Sequence, residues 1–207
     1  MSSIERYADL AHHVLRERPR LGPVRAVAVD GPAGSGKTTF AARFAAALRV
    51  ADARVEEIHT DDLLEGWTDQ VSFWPRLQEW VLEPLRHGEP GRYRAYDWVN
   101  GRFGTDWHRV PVPDVLIVEG VTSARAAIRA ELTLGVFVTA RRELRLARGI
   151  ERDGEALREE WERWMVGEDL HFATDDTAAQ VSLVVDGAPT VPHDPEKEYV
   201  RLDATQK

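Results

Sequence analysis

The sequence contains no cysteine, and this absence excludes disulfide bonds and thiolate metal sites. It also lacks any apolar run that approaches the roughly 20 residues needed to cross a bilayer. The opening segment, residues 1–6, has no apolar core of the kind found in a secretory signal peptide. Together these absences predict a cytoplasmic protein that does not engage a membrane.

Basic residues are fewer than acidic ones: the sequence has 27 Lys and Arg residues and 35 Asp and Glu residues, which gives a net charge of −8. A protein that binds a nucleic-acid polymer normally shows a basic balance or a dense basic stripe, so no such partner is predicted. A nucleotide needs only a few cations and backbone N–H groups, so the acidic composition is compatible with nucleotide binding. The length of 207 residues suffices for one domain with a sizeable core.

Short apolar runs alternate with segments of helical periodicity along the chain. The apolar runs predict strands at residues 24–30, 54–59, 114–119, 132–139 and 181–186. The helical patterns cover residues 4–18, 37–48, 70–87, 122–131 and 141–171. The alternation predicts an α/β fold with a mostly parallel sheet of about five strands and helices on both faces. The polar tail after Pro195 is predicted to pack poorly.

A glycine-rich segment between the first predicted strand and an alanine-rich helix fits the pattern G-x-x-x-x-G-K-[ST]. Its glycines let successive N–H groups face phosphate oxygens, and the following helix offers its positive end to an anion. In this motif Lys37 reaches the β- and γ-phosphates and the Thr38 hydroxyl coordinates Mg²⁺. The sequence therefore predicts a P-loop that binds ATP and Mg²⁺ through Gly31, Ala33, Gly34, Ser35, Gly36, Lys37, Thr38 and Thr39.

Carboxylates stand at the ends of two predicted strands, where ligands gather in α/β sheets. Asp61 and Asp62 follow the second strand, and either can accept a proton from an attacking hydroxyl or hold Mg²⁺. The alternative is that both aspartates cap a nearby helix. Glu119 ends the third strand and suits a magnesium-orienting role, unless it faces solvent as a loop residue. Asp30 precedes the P-loop and is predicted to hydrogen-bond the turn.

Four arginines recur at spacings of four, three and four and therefore share one helix face. They are Arg141, Arg145, Arg148 and Arg152. Such a stripe can close over phosphates and stabilise charge in the transition state. The alternative is a solvated face that is neutralised by the glutamates at 143 and 151.

These blocks, taken in order, resemble the uridine kinase-like P-loop kinases, a group similar to phosphoribulokinase and pantothenate kinase. The likeness runs through DGPAGSGKTT (30–39), HTDDLLEGW (59–67), YDWVNGR (96–102), DVLIVEG (114–120), RLARGIERD (145–153) and VSLVVDG (181–187). The resemblance implies a single P-loop kinase domain over residues 1–207, with an acceptor-binding insertion at 67–111 and a mobile lid at 141–155.

The resemblance also implies the reaction, which is transfer of the γ-phosphate of ATP to a hydroxyl of a small-molecule acceptor. The implied catalytic residues are Lys37, Asp61, Arg145, Arg148 and Arg152, and Arg141 joins the ATP site. The implied metal ligands are Thr38, Asp61 and Glu119. The implied acceptor residues are Asp62, Tyr96, Asp97, Trp98 and Arg102, while the loop at 186–189 lies near adenine.

The chain departs from the family pattern at two glycines. Gly101 stands where uridine–cytidine kinases carry a base-reading histidine, and Gly149 replaces the second arginine of the lid. Two other functions therefore stay open. One is a nucleoside monophosphate kinase, in which Arg92, Arg94 or Arg102 would hold a second phosphate. The other is an ATP-binding regulator or slow ATPase without an acceptor.

Overall fold

The computed structural model describes residues 2–203 and centres on a seven-stranded sheet. In chain order the strands are β1 (Ser2–Arg6), β2 (Arg25–Asp30), β3 (Val55–His59), β4 (Gly91–Tyr93), β5 (Tyr96–Asp97), β6 (Arg102–Phe103), β7 (His108–Val110), β8 (Val115–Glu119), β9 (Leu132–Thr139), β10 (Leu183–Asp186) and β11 (Glu198–Leu202). The helices are α1 (Tyr7–Arg16), α2 (Lys37–Val50), α3 (Trp74–Leu77), α4 (Glu83–Arg86), α5 (Arg142–Asp153), α6 (Arg158–Asp175) and α7 (Thr177–Gln180). The spatial order of the large sheet is β1-β11-β10-β9-β2-β8-β3.

Five strands of this sheet, β10, β9, β2, β8 and β3, run parallel to one another. Alternate side chains of β2 enter two different cores, because successive residues of a strand face opposite sides of the sheet. Val27 and Val29 pack with Phe44 of α2, whereas Ala26 and Ala28 pack with residues of α3 and α6. Because both faces of these strands are buried, the strands appear in the sequence as continuous apolar runs. The predicted three-layer α/β fold is confirmed.

The two outer strands were not predicted. Residues 2–6 form β1 rather than the start of a helix, and the tail after Pro195 forms β11 rather than a poorly packed end. The two strands pair antiparallel, with Ile4 opposite Val200, and β11 continues the sheet beside β10. The error has a physical reason, because each strand is stabilised by a partner almost 200 residues away in the chain.

Two helical predictions after β8 need correction. Residues 122–131 form turns and a short 3₁₀ turn over Arg129–Glu131, because the Asp30 carboxylate holds the backbone N–H groups of Thr122 and Ala124. The predicted helix over 141–171 is two helices, α5 and α6, separated at Gly154 with φ +96°. No helix in residues 2–203 combines the length and apolar content that a membrane crossing needs.

The segment between β3 and β8 holds a helical stretch and two small hairpins. A π-helical turn over Gln78–Leu82 joins α3 to α4, so the two prolines of this stretch bend its course without ending it. The hairpins pair β4 with β7 and β5 with β6. The segment thereby brings its loops over the end of β3.

Candidate functional site

A cavity of about 1050 Å³ opens along the carboxyl ends of the parallel strands. The glycine-rich loop after β2 lies in its middle. On one side the wall is formed by Asp61, just after β3, and by Glu119, the last residue of β8. We call this side the β3 end. On the other side the wall includes Asp186 at the end of β10 and Tyr199 of β11, and we call this side the β10 end.

The glycine-rich loop has the backbone that its motif requires. Gly31 has φ +136°, and a Cβ there would lie 2.1 Å from the carbonyl oxygen of Val138. Gly34 has φ +76°, and a Cβ there would lie 2.6 Å from the carbonyl oxygen of Arg145. Side chains are thus excluded at both positions by conformation and by close backbone contact. The loop residues that line the cavity are Ala33, Gly34, Gly36, Lys37, Thr38 and Thr39, whereas Gly31 and Ser35 lie behind them.

Asp30 ties the glycine-rich loop to the loop after β8. Its fully buried carboxylate accepts hydrogen bonds from the N–H groups of Gly31 at 2.7 Å, and of Thr122 and Ala124 at 2.8 Å each. Thr122 has φ +68°, a conformation that a β-branched residue adopts only when its surroundings enforce it. Burial raises the pKa of Asp30 to about 6, although the three N–H groups and Lys37 oppose the rise. The predicted hydrogen bond from Asp30 to the turn is one of three.

Three carboxylates converge at the β3 end, because β3 and β8 are neighbours and His59 lies opposite Glu119. Asp61 and Asp62 belong to a 3₁₀ turn that follows β3 directly. In residues 2–203 neither carboxylate caps a helix, since the next helix begins at Trp74 without a side-chain cap. The alternative role of the two aspartates as caps is therefore not supported.

Their surroundings alter the proton affinities of these groups. The Asp61 side chain is exposed to the cavity, and desolvation by the surrounding protein raises the pKa of its carboxyl against the opposing effect of Lys37. Burial likewise raises the pKa of Asp62. Glu119 is buried, and its Oε2 lies 2.8 Å from Nδ1 of His59, a hydrogen bond that raises the pKa of the histidine.

Oxygen donors suited to Mg²⁺ border the same cavity. They are the hydroxyl of Thr38 and the carboxylates of Asp61 and Glu119. Within residues 2–203 no group of three or more His, Asp or Glu side chains is arranged to hold a metal alone. Two carboxylates and a hydroxyl fit Mg²⁺, which typically binds one or two carboxylates and completes its shell with waters and substrate phosphates.

The arginine stripe divides into two halves with different surroundings. Arg148 and Arg152 line the cavity, and Arg148 donates to the carbonyl oxygens of Gly34 at 3.0 Å and Gly187 at 3.2 Å. Arg145 is buried outside the cavity lining, where its Nη1 lies 2.6 Å from Glu168. Arg141 is exposed just before α5 and also lies outside the cavity lining. The expected phosphate contacts of Arg145 and Arg141 are therefore not supported by their positions.

Glu168 is a site residue that the sequence did not reveal. It lies on α6 with no exposed surface, and its carboxylate accepts from Arg145 at 2.6 Å, from the Ala33 N–H at 2.8 Å and from Trp164 Nε1 at 3.1 Å. Burial raises the pKa of this carboxyl. The residue thus connects α5, α6 and the glycine-rich loop. No local pattern signals it, because its two main partners lie 23 and 135 residues away.

Four indoles surround the β3 end. Trp67 is central, and its ring meets those of Trp98, Trp161 and Trp164 edge to face with centroids 5.7–6.2 Å apart. All four residues line the cavity. Trp98 is one of the predicted acceptor residues, whereas Trp161 and Trp164 are not. Both indoles pack against Trp67 and also form part of the cavity wall.

Of the other predicted acceptor residues, one lines the cavity and three do not. Asp62 lines the cavity, but Tyr96, Asp97 and Arg102 do not. Tyr96 packs against Trp98. The Asp97 carboxylate accepts hydrogen bonds from the N–H groups of residues 99 and 100 and so closes the turn between β5 and β6. Arg102 is exposed, opposite Asp97 in this hairpin. Direct acceptor contacts of these three side chains are not supported.

The departure at Gly149 has a structural counterpart in Trp161. A Cβ at Gly149 would lie 2.5 Å from the indole, so the ring occupies the space that a side chain would need. The indole N–H donates to Asp153 at 2.9 Å. Trp161 therefore packs α6 onto the part of α5 where the family pattern has an arginine.

The β10 end includes side chains from the unpredicted strand β11 and from α1. Gly187 and Pro189 line it, as expected for the loop near adenine. Tyr7, His193 and Tyr199 line it as well, and the Tyr7 and Tyr199 rings lie 5.3 Å apart. The sequence did not indicate these residues, because their place in the cavity depends on the packing of α1 and β11 against each other.

Solved structures with a similar fold were found. One is a possible uridine kinase from Bacillus stearothermophilus, with a TM-score of 0.63, 19% sequence identity and coverage of 86% of this chain and 96% of that one. The chain shares the fold of the uridine kinase-like P-loop kinases. A second structure, a candidate fructose transport system kinase from Silicibacter sp. TM1040, has a TM-score of 0.63, 21% identity and coverage of 82% and 94%. No protein-family model matches the sequence, and no curated protein matches it.

The likeness confirms the predicted resemblance at the level of the fold. At 19% and 21% identity it does not carry over a substrate. The reaction and its acceptor have to be argued from the residues of this chain.

Proposed function

We propose that this protein is an ATP-dependent phosphotransferase that phosphorylates a hydroxyl of a small molecule. The observation that carries the proposal is that the glycine-rich loop and the Asp61 carboxylate line one cavity. A donor phosphate bound to the loop and an acceptor hydroxyl at Asp61 would then meet in a single space. Positioning of this kind, together with electrostatic stabilisation, supplies most of the catalysis of phosphoryl transfer.

The donor side of the proposal assigns a role to each loop residue. The N–H groups of the loop and the start of α2 bind the phosphates, and Lys37 and Arg148 contact the transferring group and stabilise its negative charge. Thr38, Asp61 and Glu119 would hold Mg²⁺, which offsets phosphate charge when it is bound. Arg152 lines the cavity over Trp161, on the acceptor side, where it would stabilise charge in the transition state.

Asp61 has the central role in the acceptor half of the reaction. Its carboxylate lines the cavity, where it can accept a proton from a bound hydroxyl. It takes the proton of the acceptor hydroxyl as the oxygen attacks the γ-phosphate. The neighbouring indoles exclude water and so favour transfer over hydrolysis.

Asp61→Asn tests the proposal. The amide cannot accept the proton, so we expect ADP release in the presence of an acceptor to fall by about two to four orders of magnitude. Calorimetry should still detect ATP·Mg²⁺ binding to the glycine-rich loop. Glu89→Gln is the matched control, because Glu89 is an exposed carboxylate outside the cavity lining. Acceptor-stimulated ADP release that is equal in Asp61→Asn and wild type would overturn the assignment.

A further inference from the structure

The β3 end of the cavity carries an excess of negative charge. Its carboxylates are Asp61, Asp62, Glu119 and Asp153. The arginine at this end, Arg152, is already hydrogen-bonded to Asp153 at 2.8 Å and stacks over Trp161 at 5.5 Å. Under the proposed function Lys37 and a bound Mg²⁺ are shared with the phosphates of ATP, which bring negative charge of their own to this end. The remaining field disfavours a molecule that brings further negative charge to this end.

The other lysine and arginine side chains that line the cavity in residues 2–203 lie on the glycine-rich loop or at the β10 end. Lys37 belongs to the loop, where its Nζ donates to the Pro32 carbonyl, and its positive charge acts on Asp61. Arg148 reaches Gly187, which follows β10. Arg43 contacts Glu196 in the segment before β11. The last two arginines therefore belong to the β10 end.

Arg92 and Arg94, two of the three candidates for binding a second phosphate, lie outside the cavity lining, as does the third candidate, Arg102. Side chains alternate along β4, and the Tyr93 hydroxyl points to Asp62 at 3.5 Å. Its two neighbours stack instead on Trp107, with guanidinium carbons 4.6 and 5.0 Å from the ring centroid. Neither arginine lines the cavity. None of the three candidates for binding a second phosphate is thus positioned in the cavity.

The indoles at the β3 end present carbon surface rather than polar edges. Trp98 Nε1 donates to the Asp61 carbonyl at 3.1 Å, Trp161 Nε1 donates to Asp153, and Trp164 Nε1 donates to Glu168. All three indole N–H groups therefore donate hydrogen bonds to oxygens of the protein itself. Trp98 is 40% exposed, so part of its ring surface is open to the cavity. An apolar face of a ligand can pack there.

From these observations we infer that the acceptor is an uncharged polyol with an apolar C–H face, as in a sugar ring, and carries no phosphate or carboxylate group. The inference rests on the proposed function. Hydroxyl groups of the acceptor donate to the carboxylates of Asp61 and Asp62, which gives strong charge-assisted hydrogen bonds. The C–H face packs on Trp98. Free sugars, sugar alcohols and the ribose of nucleosides share this chemistry.

Direct binding measurements can test this inference without relying on transfer. The protein is saturated with a non-hydrolysable ATP analogue and Mg²⁺ and titrated calorimetrically with matched pairs. The pairs are a hexose and its 6-phosphate, a sugar alcohol and its phosphate, and a nucleoside and its 5′-monophosphate. We expect the uncharged member of any pair that binds to bind at least about tenfold more tightly than its phosphorylated partner. The pair with the tightest uncharged member identifies the source of the polyol.

Trp98 variants test the contact with the C–H face. We expect Trp98→Ala to weaken binding of the uncharged member by about tenfold or more and Trp98→Phe to stay within about threefold, because phenylalanine keeps an aromatic face. Trp107→Ala is the matched control, since Trp107 is 41% exposed and lies outside the large cavity. It should bind like wild type.

Three outcomes would overturn the inference. They are equal or tighter binding of the phosphorylated member, equal losses in Trp98→Ala and Trp107→Ala, and failure of every uncharged member to bind. Binding of an uncharged member without ADP release from ATP would support the acceptor class and contradict the proposed function. The two failures are therefore distinguishable.

Discussion

At the residue scale, Asp30 shows how one buried carboxylate can organise a site without touching the cavity. It holds the start of the glycine-rich loop and the strained backbone at Thr122 through three hydrogen bonds. The sequence placed Asp30 at the turn, because its position before Gly31 is a local feature. It did not indicate the bonds to residues 122 and 124, because they are more than 90 residues away in the chain.

Asp30→Asn should change the pH dependence of stability. Burial raises the folded-state pKa of Asp30 from 3.8 to about 6, so between these values the folded protein binds more protons than the unfolded chain. The stability contributed by this group is therefore fully present below about pH 4 and is lost as the pH rises through about 6. We expect the free energy of unfolding of wild type minus that of Asp30→Asn to fall by about 3 kcal/mol across this range.

Urea denaturation at several pH values measures this difference. Asp106→Asn, at an exposed position, is the matched control and should show no such trend. A difference between wild type and Asp30→Asn that is constant with pH would contradict the assignment of the titration to Asp30.

At the element scale, Glu168 fixes the relation between α5, α6 and the glycine-rich loop. Arg145 is buried against it, so the N-terminal part of α5 is anchored while Arg148 and Arg152 reach the cavity further along the helix. A lid movement of residues 141–155 stays a prediction, and it would have to pivot beyond this anchor. The sequence predicted four arginines on one helix face, but Arg141 lies just before the helix. The sequence could not separate the buried arginine from the cavity arginines, because that depends on α6.

Glu168→Ala should destabilise the protein and weaken ATP binding together. It leaves the Arg145 guanidinium buried without its partner, at a cost of about 3–5 kcal/mol in the free energy of unfolding. It also releases the N–H of Ala33, so the affinity for ATP·Mg²⁺ should fall. Urea denaturation and calorimetry measure the two effects.

Glu160→Ala is the matched control on the same helix, because Glu160 pairs with Arg163 at the surface and should cost less than about 1 kcal/mol. Equal losses of stability in the two variants would show that the Glu168 network has no special role. Normal ATP affinity in a folded Glu168→Ala protein would show that Glu168 does not support ATP binding by the glycine-rich loop.

At the scale of the whole molecule, the sequence predicted the parts of the fold that rest on local patterns. The five parallel strands are apolar runs because helices cover both faces of the sheet. The pair β1 and β11 was not predicted, since β1 is mostly exposed and its partner strand lies almost 200 residues away in the chain. The same distinction holds for the site, where the glycine-rich loop and Asp61 follow strands directly. The Tyr199 wall and the Glu168 network depend on tertiary contacts.

The central claim is that one cavity unites a phosphate donor and a hydroxyl acceptor. The most direct test is ADP release from ATP·Mg²⁺ by the wild-type protein against a panel of nucleosides, nucleoside monophosphates, sugars and vitamin-like alcohols. The account predicts strong stimulation by an uncharged hydroxyl compound, with one phosphorylated product formed for each ADP. Tight ATP binding with turnover that no panel member stimulates would contradict it and would favour an ATP-binding regulator or slow ATPase.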